Sequence, residues 1–370
     1  MGSVLLTMAL IEIFLIYVKP VYIHTITSKH YTSSLNPILA YEPRPLVKDH
    51  NADGIRADKE YLYHKPDGVF RIVVIGDSIA YGVGVKSEET YAAILEDMLN
   101  RQSDRSLRYE VINLGVPGYR ITQIIERLKT KGLKYDPDLI IYGYWLNDIW
   151  FGANPNEFRL MNAAFDGIHN PGRLVLTDDI SEQGIKNFLL RSQISRRVIL
   201  MYRSMQYRKL KEKAETIRDT GGEEFIQKYL PDEIASLFQN FRKEIDDGQL
   251  KDIKGYDPFY GLYADYFNFV QWNNELKAFA ALSEQRDIKN LLLITPVITD
   301  SSATTYHWQA LHEFIANTAA VYNIPSIDLL EAFCSRSPDE IGTGDVVHPN
   351  ANGHNVIAAH LYAYLIQQGF

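Results

Sequence analysis

Five short apolar runs, separated by helical patterns, constrain this chain more than any other feature. They are FRIVVI (Phe70–Ile75), YEVIN (Tyr109–Asn113), DLIIYGY (Asp138–Tyr144), NLLLIT (Asn290–Thr295) and IPSIDL (Ile324–Leu329). Each is short and nearly continuous in apolar or β-branched residues, as strands buried on both faces must be. Helical patterns follow or precede them at about Glu88–Leu99, Thr122–Lys131, Asn274–Gln285, Trp308–Tyr322 and Ala351–Gln367. Alternation of this kind predicts an α/β fold, a parallel five-stranded sheet with helices on both faces. Ligands of such sheets sit beyond the carboxyl ends of the strands, at the point where strand order reverses.

The alternation breaks after Tyr144 and resumes near Asn274, which divides the 370 residues. The core is expected at 70–150 and 271–370, with a mostly helical cap insertion at 151–270. An extended arm covers 26–69, where Asn36-Pro37, Asp53-Gly54 and Lys65-Pro66 signal turns, and an apolar segment covers 1–25. Within the insertion, Gly255–Trp272 carries eight aromatics. They either form the cap's own core or offer faces to sugars, acyl chains or a partner. Arg191–Glu215 carries eight basic and two acidic residues, a solvated face by default or a side turned to anionic lipid headgroups.

The apolar run Val4–Val18 has fifteen residues, below the roughly 20 that span a bilayer, and it contains Glu12. It lacks the basic flank and small-residue cleavage site of a signal peptide. A helix apolar on all sides is buried or in lipid. The expectation is therefore membrane association through residues 4–18 and a membrane-anchored, cell-envelope or periplasmic location, with a cytoplasmic protein and a packed helix as the alternative. The single Cys334 excludes an intrachain disulfide and a cysteine zinc cluster. The net charge of −8 argues against a nucleic-acid partner. No metal-ligand spacing or phosphate loop occurs, so neither metal nor cofactor is expected; His354 and His360 read as packing or surface residues.

Chemistry-bearing residues gather where the sheet predicts a site. Gly76-Asp77-Ser78 follows the first strand, Asn113-Leu114-Gly115 the second and Trp145-Leu146-Asn147-Asp148 the third, while Asp345-Val346-Val347-His348 precedes the last helix. A serine hydroxyl needs an adjacent base to attack a carbonyl. His348 can be that base and Asp345 can fix its tautomer. The N–H groups of Ser78 and Gly115 and the Asn147 amide can serve a developing oxyanion. Asp77, Tyr81, Tyr144 and Trp145 are candidates to line the substrate pocket. Taken singly, each block has a plainer use: Ser78 as a helix N-cap, Asn147 as a left-handed turn residue, Asp77 and Asp148 as loop-ordering hydrogen bonders.

Together the four blocks resemble those of the SGNH (GDSL-type) hydrolase family, with Ile79 where the family name carries Leu. The resemblance covers both halves of the core. It implies a flavodoxin-like three-layer αβα sandwich, Ser78 as nucleophile, His348 as base, Asp345 as third triad member, and Gly115 and Asn147 as oxyanion donors. The expected activity is hydrolysis of O-acyl esters on a carbohydrate or lipid. The alternatives are an O-acyltransferase using the same triad and a non-catalytic glycan-binding module.

Overall fold

The computed structural model describes residues 2–18, 22–25, 30–34, 36, 38, 39, 41–102, 107–149, 173–176, 192–198, 201, 205, 222–246 and 258–370. Most of the expected insertion, including most of the basic segment and residues 255–257, lies outside them. The chain divides into two compact units, Met1–Arg44 with Asn154–Thr220, and Pro45–Ala153 with Gly221–Phe370.

The larger unit holds the five expected strands in one parallel sheet: β1 (Val69–Gly76), β2 (Arg108–Asn113), β3 (Leu139–Tyr144), β4 (Lys289–Ile294) and β5 (Ser326–Asp328). Their order is β2-β1-β3-β4-β5, with every neighbouring pair parallel. The chain steps outward from β1 to β2 and then returns past β1 to β3. The strand order thus reverses between β1 and β3, so the strand-end loops carrying Ser78 and Asn147 flank the switch point.

Helices of this unit are α1 (Ser78–Tyr81), α2 (Tyr91–Gln102), α3 (Ile121–Thr130), α4 (Gly222–Tyr229), α5 (Asp232–Asp246), α6 (Pro258–Ala264), α7 (Tyr266–Glu284), α8 (Gln309–Val321), α9 (Leu330–Cys334), α10 (Pro338–Ile341) and α11 (Ala351–Gln367). The period of two along β3 assigns the layers. Tyr142 meets Phe279 and Tyr144 meets Trp272, both on α7. A Cβ on the intervening Gly143 would lie 2.5 Å from Tyr91 Oη on α2. α7 and α2 therefore cover opposite faces, giving the three-layer sandwich. α11 packs beside α2, and α3 beside α7.

The core is continuous across the sheet: Ile72, Val73, Val74, Ile140, Ile141, Leu292 and Leu293 are each fully buried. The aromatics of 258–272 join this core, because Phe269 lies 5.2 Å from Phe314 on α8 and Tyr263 Oη bonds Tyr144 Oη. Their excess is explained by packing that extends the layer over β3.

In the smaller unit, Gly2–Val18 is helical, Tyr22–Thr25 pairs in parallel with Arg173–Leu176, and Tyr31–Ser33 pairs antiparallel with Tyr41–Pro43. Glu12, the one charge inside the apolar run, accepts hydrogen bonds from Ser192 Oγ (3.0 Å), Ile194 N–H (3.1 Å) and Gln193 N–H. A carboxylate there sits at the start of helical residues 193–198, where the helix end favours negative charge. Among the described residues no helix is long and apolar enough to cross a membrane.

Candidate active site

β1 delivers its last residues into a sharp turn. The Asp77 carboxylate caps α1 by accepting the Ile79 N–H at 2.9 Å, which fixes Ser78 as the first helical residue. Gly82 ends the helix at φ 81°, a left-handed conformation that glycine adopts without strain. Ser78 is half-buried.

The Ser78 hydroxyl lies 3.1 Å from His348 Nε2, and His348 Nδ1 lies 2.8 Å from Asp345 Oδ2. A carboxylate can only accept, so Nδ1 carries the proton and Nε2 is left to accept the Ser78 O–H. The other Asp345 oxygen accepts the N–H groups of Val347 (2.8 Å) and His348 (2.7 Å). Partial burial pushes the Asp345 carboxyl up. Bonds from the His348 ring and the two backbone amides outweigh that and hold it below the ordinary carboxylate range.

The Asp345–His348 loop is pinned from three sides. Thr343 N–H donates to His348 O (2.9 Å) and Ile298 N–H, just past β4, donates to Val346 O (2.9 Å). Asn350 caps α11 through Asn352 and Gly353 and donates back to Gly342 O at 2.9 Å. The Pro349-Asn350 pair after His348 is thus a structural staple. His354 is fully buried on α11, as a packing histidine, with its ring stacked on Tyr91. Burial, then the charges of Arg56 and His348, push it down to about 3.

The three expected oxyanion donors differ. Asn147 sits in a 3-10 turn, Leu146–Ile149, just after β3, and its side chain makes no hydrogen bond among the described residues. The Gly115 N–H, by contrast, already donates to Asn113 Oδ1 at 3.0 Å. An oxyanion would have to share that N–H in a three-centre bond. What Gly115 supplies without rival is closeness: a Cβ there would stand 2.3 Å from Tyr81 N and 2.7 Å from Ala80 C.

The pocket expectation needs correction. Asp77 (1% exposed), Tyr81 (3%), Tyr144 (0%) and Trp145 (5%) are all buried. Residues directly after a doubly covered strand stay inside the layers, so these four form the floor of the site and not a wall. Burial raises the Asp77 carboxyl above its ordinary range, against the pull of the Ile79 N–H, Arg120, the Ser78 N–H and His348.

Two supports carry no sequence signal. Arg56, from the segment before β1, is buried and donates to the carbonyls of Tyr81 (2.7 Å), Gly82 and Val85, while pairing with Asp49 at 3.0 Å. Its guanidinium lies 4.4 Å from the Tyr81 ring centre, and His50 bonds the Tyr81 hydroxyl at 2.9 Å. Behind β4, His312 is fully buried between Asp328 (2.9 Å) and Tyr306 (3.3 Å), and Tyr306 Oη accepts the Val297 N–H (2.8 Å). That network ties the residue adjoining Ile298, and so the loop of His348. Among the described residues, no cluster of three or more His, Cys, Asp or Glu could hold a metal.

A strand-end serine hydrogen-bonded to a histidine–aspartate pair is the arrangement by which serine hydrolases activate the hydroxyl. Residues 74–226 match the model of the GDSL-like lipase/acylhydrolase family. That matched segment, less than half of the chain, carries Ser78, Gly115 and Asn147 and resembles a GDSL-like acylhydrolase domain, which supports a carboxylic ester hydrolase. No curated protein matches it. Among solved structures it is similar to the acetyl xylan esterase AlAXEase, at 15% identity and TM-score 0.41, covering 80% of this chain and 100% of that one. It is similar to LAE5, an alpha/beta hydrolase from the metagenome of Lake Arreo, Spain, at 17% identity, TM-score 0.40 and coverage of 83% and 97%. A catalytic mutant of Axe2, an acetylxylan esterase from Geobacillus stearothermophilus, follows at 14% identity, TM-score 0.41 and coverage of 81% and 94%. At these identities the likeness bears on neither substrate nor residue roles.

Proposed function

We propose that the protein hydrolyses O-acyl esters on a carbohydrate or lipid through Ser78, His348 and Asp345. The observation that carries this is the unbroken chain Asp345–His348–Ser78, at 2.8 and 3.1 Å, assembled from residues 270 positions apart. As Ser78 Oγ bonds to the acyl carbon, its proton passes to His348 Nε2 and the carbonyl oxygen takes the negative charge. The Asn147 amide is the donor assigned to that charge, with Ser78 and Gly115 sharing N–H groups that already reach Asp77 and Asn113. Collapse expels the alcohol, which takes the proton from His348. Water then attacks the acyl-serine by the same route and releases the acid. Asp345 keeps His348 Nε2 free to accept and stabilises the imidazolium.

Hydrolysis is favoured over acyl transfer because the side chains of His348 and Asp345 are 21% and 51% exposed, open to water. The test is turnover of short- to long-chain p-nitrophenyl esters and acetylated sugars, beside Ser78→Ala and His348→Ala. Loss of about 10⁴-fold or more in kcat is expected for each. Turnover that neither substitution lowers would refute the assignment.

We also propose that the Gly2–Val18 helix associates with a membrane, in keeping with a cell-envelope location. Leu6, Leu10 and Tyr17 expose 63%, 59% and 83% of their surface, a cost in water that a lipid interface removes. Vesicle flotation should fall with Leu10→Glu/Phe14→Glu, and unchanged flotation would count against the helix.

A further inference from the structure

Next to two of the assigned oxyanion donors in sequence stand two carboxyls, Asp77 before Ser78 at the end of β1 and Asp148 after Asn147 just past β3. Both are fully or nearly fully buried, at 1% and 0% exposure. Their partners differ. Asp77 accepts the Ile79 N–H at 2.9 Å and the Ser78 hydroxyl lies 3.3 Å away. Asp148 meets only neutral donors within bonding distance, the Tyr142 hydroxyl at 3.0 Å and the Trp145 N–H at 3.4 Å, both on Oδ2. Its Oδ1 is buried without a partner. Asp148 N–H also donates to Trp145 O at 2.9 Å, so the residue closes the Trp145–Asp148 turn on which Asn147 is carried.

We propose that Asp148 works as an uncharged carboxylic acid, a positioning residue that holds the Asn147 turn while keeping negative charge away from the oxyanion. The proposal rests on the ester-hydrolysis reading above. An ionised carboxylate here would oppose the charge that develops on the substrate oxygen one residue away. It would also share the floor with Asp77, and two buried carboxylates resist joint ionisation. The groups facing Asp148 are Tyr142 and Tyr144 on β3, Tyr263 on α6, Asp77 and Arg120. Burial, then the charge of Asp77, holds the Asp148 carboxyl well above its ordinary range, against Arg120, Tyr142 and the Trp145 N–H. Tyr142, Tyr144 and Tyr263 are raised too, chiefly by burial, and stay protonated. Arg120 and His348 are charges that lower the Asp77 carboxyl in turn.

The test compares Asp148→Asn and Asp148→Ala with the wild-type protein, using p-nitrophenyl acetate from pH 5 to 9. Asn reproduces the shape and neutrality of the acid, so Asp148→Asn should keep kcat within about threefold at pH 7. Asp148→Ala frees the turn and should lose tenfold or more, in kcat more than KM. The wild-type infrared spectrum at pH 7 should show a protonated-carboxyl band that Asp148→Asn removes. A hundredfold loss in folded Asp148→Asn, a variant that cannot fold, or no such band would each overturn the proposal. An inert wild type would instead bring down the ester-hydrolysis reading itself and this inference with it.

Discussion

Replacing Asp345 by Asn tests how the histidine is held. In the wild-type site Asp345 Oδ2 accepts His348 Nδ1–H at 2.8 Å. The variant can keep one oxygen on the Val347 and His348 amides, which turns its NH₂ toward Nδ1. Nδ1 must then accept, the ring proton moves to Nε2, and His348 can no longer take the proton of Ser78. Reversing that tautomer breaks a hydrogen bond, at about 2 kcal/mol. The carboxylate's attraction for the imidazolium at this distance is roughly 1.5–6 kcal/mol for effective dielectrics of 80 to 20. The Asp345 side chain is 51% exposed, so the lower end applies, at about 2 kcal/mol. The sum is about 4 kcal/mol, or roughly a thousandfold in kcat. Asp345→Ala loses the attraction but imposes no wrong tautomer, so it should fall only about 30-fold. The assay is kcat on p-nitrophenyl acetate at pH 7.5, beside the rate of fluorophosphonate labelling. Asp345→Asn within tenfold of wild type, or milder than Asp345→Ala, would refute the tautomer argument.

Three further outcomes follow from the supports of the site. Arg56→Ala leaves three carbonyls and Asp49 without their buried cation, and should destabilise by about 3 kcal/mol in urea unfolding; an unchanged midpoint would show the cluster to be idle. Gly115→Ala places a methyl 2.3 Å from Tyr81 N, so α1 must shift, at about 3 kcal/mol, with kcat falling as Ser78 moves; wild-type kcat would contradict the close approach. Asp148 sets a sign for stability against pH. Unfolded, it loses its proton near 3.8; folded, it keeps the proton to higher pH. The native state then binds more protons, so stability falls as pH rises above that value. Urea unfolding from pH 5 to 8 should therefore move in favour of Asp148→Asn relative to wild type, and a flat difference would oppose it.

The sheet was legible because strands buried on both faces must be continuously apolar: Phe70–Ile75 was expected and Val69–Gly76 is observed, Asn290–Thr295 expected and Lys289–Ile294 observed. The strand-end residues were legible because a doubly wound sheet brings its loops to one edge. What escaped depends on contacts that no local pattern carries. Arg56 stands in the extended arm with no motif to mark it, yet it is 4% exposed and clamps the loop after Ser78. Asn113 is the last residue of a strand, and its engagement of the Gly115 N–H follows from side-chain geometry alone. Asp77, Tyr81, Tyr144 and Trp145 were placed at the correct edge but on the inner side of it, since adjacency to Ser78 in sequence does not distinguish floor from wall.

The central claim is that Ser78 is the nucleophile and His348 its base. Incubating the full chain with a fluorophosphonate and mapping the adduct by peptide mass spectrometry tests it most directly. A single adduct on Ser78, absent in Ser78→Ala and strongly slowed in His348→Ala, is predicted. An unmodified Ser78, or labelling indifferent to His348, would contradict the account.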